Sequence, residues 1–273
     1  MKRAGTLAFD LPSIFSGSES ILLAARGHNH EHMYLRQISM ALIFDIKQYM
    51  PVFLKPVEGS VRRDVKAIRN VLESTDFHGI LILGRRFISH DMANIMYSKM
   101  KFIMPLMRNQ EETDYSMHLG SSFTYRGRGI LSGFSAAVDR RVYIFHDPIL
   151  AGEEVSTFIS LITRGIRKQS QYEEESRKFG KIAVMSNMND DPESIYLMYK
   201  QREEIKQAFD AMKNELENDR SYLRGDESLR GYFIISFISL YMYFSILEAL
   251  KEKGLSDKTS VKEAVVFRGL LDK

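Results

Sequence analysis

The sequence predicts an α/β fold, a mixed sheet flanked by helices with an inserted segment ahead of the last helical region. Three observations carry this. The first 108 residues read β-β-β-α-β-α-β. Two of the later strands, GILIL and FIMPL, are continuous apolar runs of the kind covered on both faces. A chain of 273 residues, 44% hydrophobic and 27% charged, can bury one large core.

Taken in order, Thr6–Asp10 (TLAFD), Gln37–Phe44 (QISMALIF) and Met50–Val57 (MPVFLKPV) are strands, and three in succession suggest an antiparallel meander. Gly59 and Ser60 form a turn and cap, and a helix over Val61–Glu73 carries Val61, Val65, Ile68 and Leu72 at helical spacing. Strand Gly79–Leu83 follows. Ser89-His90-Asp91 starts a helix with Met92, Ile95, Met96 and Met100 on one face, and Phe102–Leu106 returns as a strand. Residues 1–108 form the N-terminal part of the core. Residues 109–181 lose the regular pattern around YRGRGILSG, a hairpin at RRVYIFHD and a polar helix ending in QSQYEEESRKFG, so they read as an insertion. Strand Lys181–Met185 precedes a helix start at Asp190-Asp191-Pro192-Glu193, with Pro just inside and acids in the first turn. One long helix then runs through Leu216. Residues 182–255 are the C-terminal part of the core, and 256–273 form an irregular tail.

Composition excludes whole classes of chemistry. There is no cysteine, so disulfides, thiolate metal sites and Cys nucleophiles are absent, and any metal needs oxygen or imidazole ligands. Asp10 interrupts the first apolar stretch before a signal-peptide core forms, which predicts a cytoplasmic protein. Residues 231–247 (GYFIISFISLYMYFSIL) are uncharged and reach the lower limit of a membrane span. Their serines and scattered aromatics, and dense charge on both flanks, favour a helix buried on several sides over an anchor. The net charge is only +3, too little to argue for a polyanion partner by itself.

The sharpest local pattern is Tyr199, Arg202, Lys206 and Lys213, at steps of three, four and seven. On one continuous helix these steps put all four side chains on nearly one face, opposite Ile205 and Phe209. A solvated basic face is the bland reading of such spacing. The segment resembles the Tyr-x-x-Arg-x-x-x-Glu-x-x-x-x-x-x-Lys signature of the insertion-sequence-four group of DDE transposases. Tyr199, Arg202 and Lys213 match it. FDLPSIFS, LRQISMALIF, MPVFLKPVEGS, ILGRRFIS, FIMPLMRN and the stretch from IYLMYKQR through GYFIISFISL resemble further segments of that group in the same order. The resemblance implies a ribonuclease-H-like core and metal-dependent DNA cleavage and strand transfer.

In such a core, two Asp and one Glu hold a pair of Mg²⁺ or Mn²⁺ ions, because hard divalent cations take oxygen ligands. Asp10 matches the first Asp and is the one metal ligand carried over. The second-Asp position falls on Gly84 and the Glu position on Lys206, while Arg86 replaces a Gly. Glycine has no ligand atom, and an ammonium beside the ions would repel them by several kcal/mol. Asp210 and Glu203 stand one turn from Lys206, a displacement of about 5 Å. Near Gly84, Asp91 lies beyond a turn and Asp64 sits on the preceding helix. None replaces the lost carboxylates without new geometry, so a degenerate triad and no productive binding of Mg or Mn are expected.

The resemblance further implies DNA, the transposon ends, as partner, with Tyr199, Arg202 and Lys213 gripping it. Arg126 and Arg128 in the insertion are additional phosphate contacts. His28, His30 and His32 would share one side of a strand, which suits zinc or nickel, but Gly27 and Asn29 signal a loop. The reading is therefore a truncated, catalytically inactive transposase-like protein. Its rivals are a non-enzymatic inhibitor that binds DNA or an intact transposase, with homo-oligomers possible, and a protein anchored through 231–247. Restoring the family residues at 84, 86 and 206 would move the charge from +3 to −1. The basic excess thus sits at the degenerate positions.

Overall fold

A computed structural model of the chain describes residues 3–26, 35–59, 68–69, 71–72, 77–84, 96, 99–110, 113–137, 139–211, 220–221 and 223–271. It divides into two compact units, residues 1–81 with 202–273, and residues 82–201. The class is α/β, with a mixed sheet flanked by helices.

In the first unit, β1 (Arg3–Asp10) and β2 (Ser13–Ser16) run antiparallel to β4 (Arg36–Asp45) in one unbroken register. Leu7 faces Asp45, Asp10 faces Leu42, Ser13 faces Ser39 and Phe15 faces Gln37. The interruption is Leu11-Pro12, where the Met40 N–H still bonds the Pro12 carbonyl. Proline has no N–H to offer a ladder, so the strand is notched rather than ended. β5 (Met50–Glu58) pairs with β4 over residues 38–45. The turn between them is held by Asp45, whose carboxylate accepts the N–H groups of Lys47 and Gln48. β3 (Ala25–Arg26) pairs with β4 beyond the end of β5. β6 (Phe77–Ile82) needs Gly79, at φ 117, because a side chain there would run into the Gly5 backbone. Of the helix expected over Val61–Glu73, residues 68, 69, 71 and 72 are described and helical, with Ile68, Val71 and Leu72 buried.

In the second unit, β7 (Lys101–Pro105), β8 (Ser121–Tyr125), β9 (Arg128–Ala136), β10 (Arg141–His146) and β11 (Lys181–Ser186) form antiparallel ladders in the order β7-β11-β10-β9-β8. The segment expected to be a hairpin at RRVYIFHD is the last strand of a three-stranded meander, β8 to β10. Helix α1 (Pro148–Thr163) starts on Asp147, α2 is Tyr172–Ser176, and α3 (Pro192–Gln201) starts at Asp191, whose carboxylate accepts the Ser194 N–H. Tyr196 on α3 packs edge-on against Phe123, Tyr125 and Phe145, with ring centroids 4.9–5.3 Å apart.

Three expectations are corrected. The single helix through Leu216 is two helices, α3 and α4 (Glu203–Asp210), interrupted at Arg202. Nothing in YKQREEIKQAF breaks a helix locally, so propensity alone does not predict the break. The tail contains α6 (Val261–Leu271), started by a capping box in which Ser260 and Glu263 exchange side-chain and backbone bonds. Residues 231–247 lie in α5 (Asp226–Glu252), which is buried on one face and not on several. That face includes Leu229, Phe233, Leu240 and Phe244 and packs on β5. Phe244 meets Phe44 and Tyr49 edge-on at 5.0 and 5.3 Å. The opposite face exposes Ile234, Ile235, Ile238, Tyr241 and Met242. By length and composition alone α5 could cross a membrane, and 22% of its most apolar stretch is buried.

Candidate functional site

Asp10 ends β1, half-buried, and its carboxylate accepts the N–H of Leu11 at 2.9 Å. This local bond fixes one carboxylate oxygen where the strand is notched. Gly84 lies buried two residues past β6 and presents no donor. Lys206 lies on α4, which packs against β1 and buries Ile205. Its ammonium is exposed and bonds Glu203 at 2.7 Å. An exposed i,i+3 pair of this kind contributes little to stability, but it occupies both the lysine and the nearest acid. Asp210 is exposed on the same helix, and the side chain of Glu204 lies outside the described residues. Among the described residues, no three His, Asp or Glu side chains come together as a metal site.

The described residues of the expected basic face fall on α3, on α4 and at the break between them. Tyr199 is buried on α3, whose neighbours are β7, β8 and β9. Arg202 is half-buried in the break, and its Nε is buried without a hydrogen-bond partner among the described residues. A helix interrupted at Arg202 no longer carries the helical angle from Tyr199 to Lys206, so spacing stops predicting a shared face. Lys213 lies outside the described residues, as do Asp64, Arg86, Asp91, and His28, His30 and His32.

The two insertion arginines differ. Arg126 and Gly127 form the two-residue turn between β8 and β9, both with positive φ (50° and 76°), as a tight hairpin of matching twist requires. This projects Arg126 into solvent, its guanidinium 5.3 Å from the centroid of the Tyr125 ring. Lys200 extends from α3 to within 5.9 Å of that ring and 5.2 Å of Tyr196. Burial of the Tyr196 hydroxyl, with the Asp147 charge nearby, pushes its pKa up to about 12, so the ring stays neutral beside these cations. Arg126, Lys200 and Tyr125 therefore form a cationic, aromatic surface. Spacing in the sequence singles out Arg126 but not Lys200 or Tyr125, because the approach of α3 to the β8–β9 turn is tertiary.

Arg128 is already engaged. Its guanidinium donates to Asp147 at 2.9 Å and to Glu153 at 3.3 Å. Asp147 in turn caps α1 by accepting the N–H groups of Ile149 and Leu150. Arg128 thus ties β9 to the start of α1, and a phosphate would have to compete with two carboxylates for it.

No protein-family model matches the sequence, and no curated protein matches it. Among solved structures, the chain is similar to piggyBac transposase, seen by cryo-EM in a synaptic complex with hairpin DNA, at 11% identity and a TM-score of 0.55. The match covers 96% of this chain and 51% of that one, so the chain spans about half the length of the transposase. At this identity the likeness is one of fold, and the fold is transposase-like.

Proposed function

We propose that the chain is a transposase-like protein of the DDE type, similar to the insertion-sequence-four group, that binds DNA and lacks the metal-dependent cleavage of that group. What supports this reading is a fold similar to a solved transposase over 96% of the chain, with Gly84 and Lys206 at the positions where the sequence resemblance sets the family's second Asp and its Glu. The core is ribonuclease-H-like, with residues 109–181 as its insertion. Asp10, at the end of β1, is the remaining carboxylate. A two-metal centre needs three converging oxygen ligands, and a hydrogen at 84 and an ammonium at 206 do not fit it. No cleavage step follows from these residues.

DNA contact is assigned to Arg126 with Lys200 and Tyr125, joined by Arg202 and Lys213. A cation stacked on an aromatic ring meets phosphates without reading sequence. Duplex binding by fluorescence anisotropy is expected at low salt. Arg126→Ala should lower the slope of log affinity against log salt by about one. Unchanged slope removes Arg126 from the interface. No Mn²⁺-dependent nicking is expected, and nicking that disappears in Asp10→Ala would overturn the inactive reading. Docking of α5 on β5 supports a folded-domain role for residues 231–247 over an anchor. The exposed stripe on the other face of α5 supports pairing with a second copy. Five side chains there, at roughly 200 Å² each when fully exposed, leave on the order of 600 Å² of apolar surface, near the 800 Å² per partner of a standard interface.

A further inference from the structure

Away from Asp10, a pocket of about 350 Å³ opens beside β2, β3 and β4, lined by Phe15, Ser16, Gly17, Arg26, Leu35 and Arg36. Phe15 stands five residues beyond Asp10 in the shared β1–β2 register, which is about 17 Å along the strand. Three features of the pocket point to one ligand chemistry.

First, Arg26 and Arg36 are directly opposite each other across the β3–β4 ladder. Directly opposed like charges weaken a strand pair, and no carboxylate lines the pocket among the described residues. Second, Arg36 is held by a bond from its Nη2 to the Ala24 carbonyl at 2.8 Å, while its Nε is buried with no acceptor among the described residues. A guanidinium N–H removed from water without an acceptor is costly, and an anion supplies one. Third, the buried Ser16 hydroxyl accepts the Ser18 N–H at 3.4 Å, which leaves its own hydrogen to donate elsewhere. Gly17 beside it has open space where a side chain would stand, so its backbone is approachable. Phe15 and Leu35 give the same pocket apolar walls.

We propose that this pocket binds a phosphate group, held between Arg26 and Arg36, with the sugar or base that carries it against Phe15 and Leu35. The volume suits one nucleotide. The phosphate is either the monoester of a free nucleotide or an internal diester of single-stranded DNA, and the same two guanidinium groups serve both. The inference does not rest on the transposase reading. Failure of duplex binding leaves a phosphate titration unaffected, and failure of phosphate binding leaves the Arg126 surface unaffected.

The test uses the full chain and three probes: inorganic phosphate, thymidine monophosphate, and a labelled eight-residue oligothymidylate without a terminal phosphate. Saturable binding by calorimetry or anisotropy is expected for at least one. It should weaken at least tenfold in Arg26→Gln and stay within twofold in Arg164→Gln, an exposed arginine at the end of α1 that serves as the charge control. Binding of thymidine monophosphate identifies the monoester, and binding of the oligonucleotide alone identifies the diester. Without ligand, Arg26→Gln should melt at or above the temperature of the unmodified chain, because it relieves the opposed charges. Three results overturn the proposal: no saturable binding of any probe, equal weakening in Arg26→Gln and Arg164→Gln, or an unliganded Arg26→Gln that melts lower.

Discussion

Asp147 performs two tasks with one carboxylate, and two substitutions separate them. One oxygen caps α1 by accepting the N–H groups of Ile149 and Leu150 at 2.9 and 3.1 Å, and the other accepts from Arg128 at 2.9 Å. Asparagine caps a helix about as well as aspartate but carries no charge. Asp147→Asn therefore keeps the cap and loses the ion pair, whereas Asp147→Ala loses both. The cap is worth about 1 kcal/mol, so Asp147→Ala should be less stable than Asp147→Asn by that amount, roughly 2–4 °C in melting temperature for a chain of this size. The charge adds a pH dependence. Burial pushes the Asp147 carboxyl up, but the Leu150 N–H, the Arg128 guanidinium and the Ile149 N–H together outweigh it and hold the group below its ordinary 3.8. A depressed folded pKa means that the charged form stabilises the fold above the unfolded value, and that this contribution is lost as pH falls through the folded one. The gap between the unmodified chain and Asp147→Asn should be full at pH 7 and narrow below pH 3.8, while the gap between Asn and Ala stays constant. Urea denaturation followed by circular dichroism at pH 7 and pH 3.5 measures both. Equal stability of the two variants, or an unmodified-to-Asn gap that ignores pH, would refute the division of labour.

Gly79→Ala and Gly127→Ala form a second pair. Both glycines have positive φ, but an added Cβ overlaps the Gly5 carbonyl at Gly79 and meets nothing at Gly127. Strain alone predicts about 1 kcal/mol at Gly127, and strain with overlap predicts at least about 2 kcal/mol at Gly79; similar melting losses would contradict the close approach of β6 to β1. On α5, the double substitution Ile235→Asp with Ile238→Asp removes more than half-exposed apolar groups. It should leave melting nearly unchanged and reduce self-association in analytical ultracentrifugation. A collapse of the fold would show that this face is internal, and release of the unmodified chain only by detergent would show that it faces lipid.

The strands were legible because their signals are local. Apolar runs and alternation locate β4, β5, β6, β7 and β11 to within two residues of their observed limits, and β1 to within three. The start of α3 was legible for the same reason, as Asp191 and Pro192 act within one turn. The capping box of Ser260 and Glu263 is equally local, but it stands in a segment without the apolar period that would mark a helix after it. The continuity of β2 with β1 was not legible, because Pro12 reads as a terminator and only pairing with β4 shows that the register survives. Likewise, one-sided burial of α5 depends on β5, and spacing alone cannot tell one buried face from several.

The same distinction bears on the proposed DNA contact. Net charge counts Lys206, Arg128 and Arg126 alike, but their surroundings do not. Lys206 is bonded to Glu203 and Arg128 to Asp147 and Glu153, so at short range these cations are offset before any polyanion arrives. Arg126 meets an aromatic ring and has no carboxylate partner among the described residues. Arg26 and Arg36 face each other with none either. Of these cations, Arg126, Arg26 and Arg36, none of them part of the Tyr-x-x-Arg signature, have the most to gain from a phosphate. Tyr199 contributes to the core of residues 82–201, and Lys206, on α4, is already paired with Glu203. The proposed nucleic-acid contact therefore rests first on turn and strand arginines, with Lys200, Arg202 and Lys213 joining them.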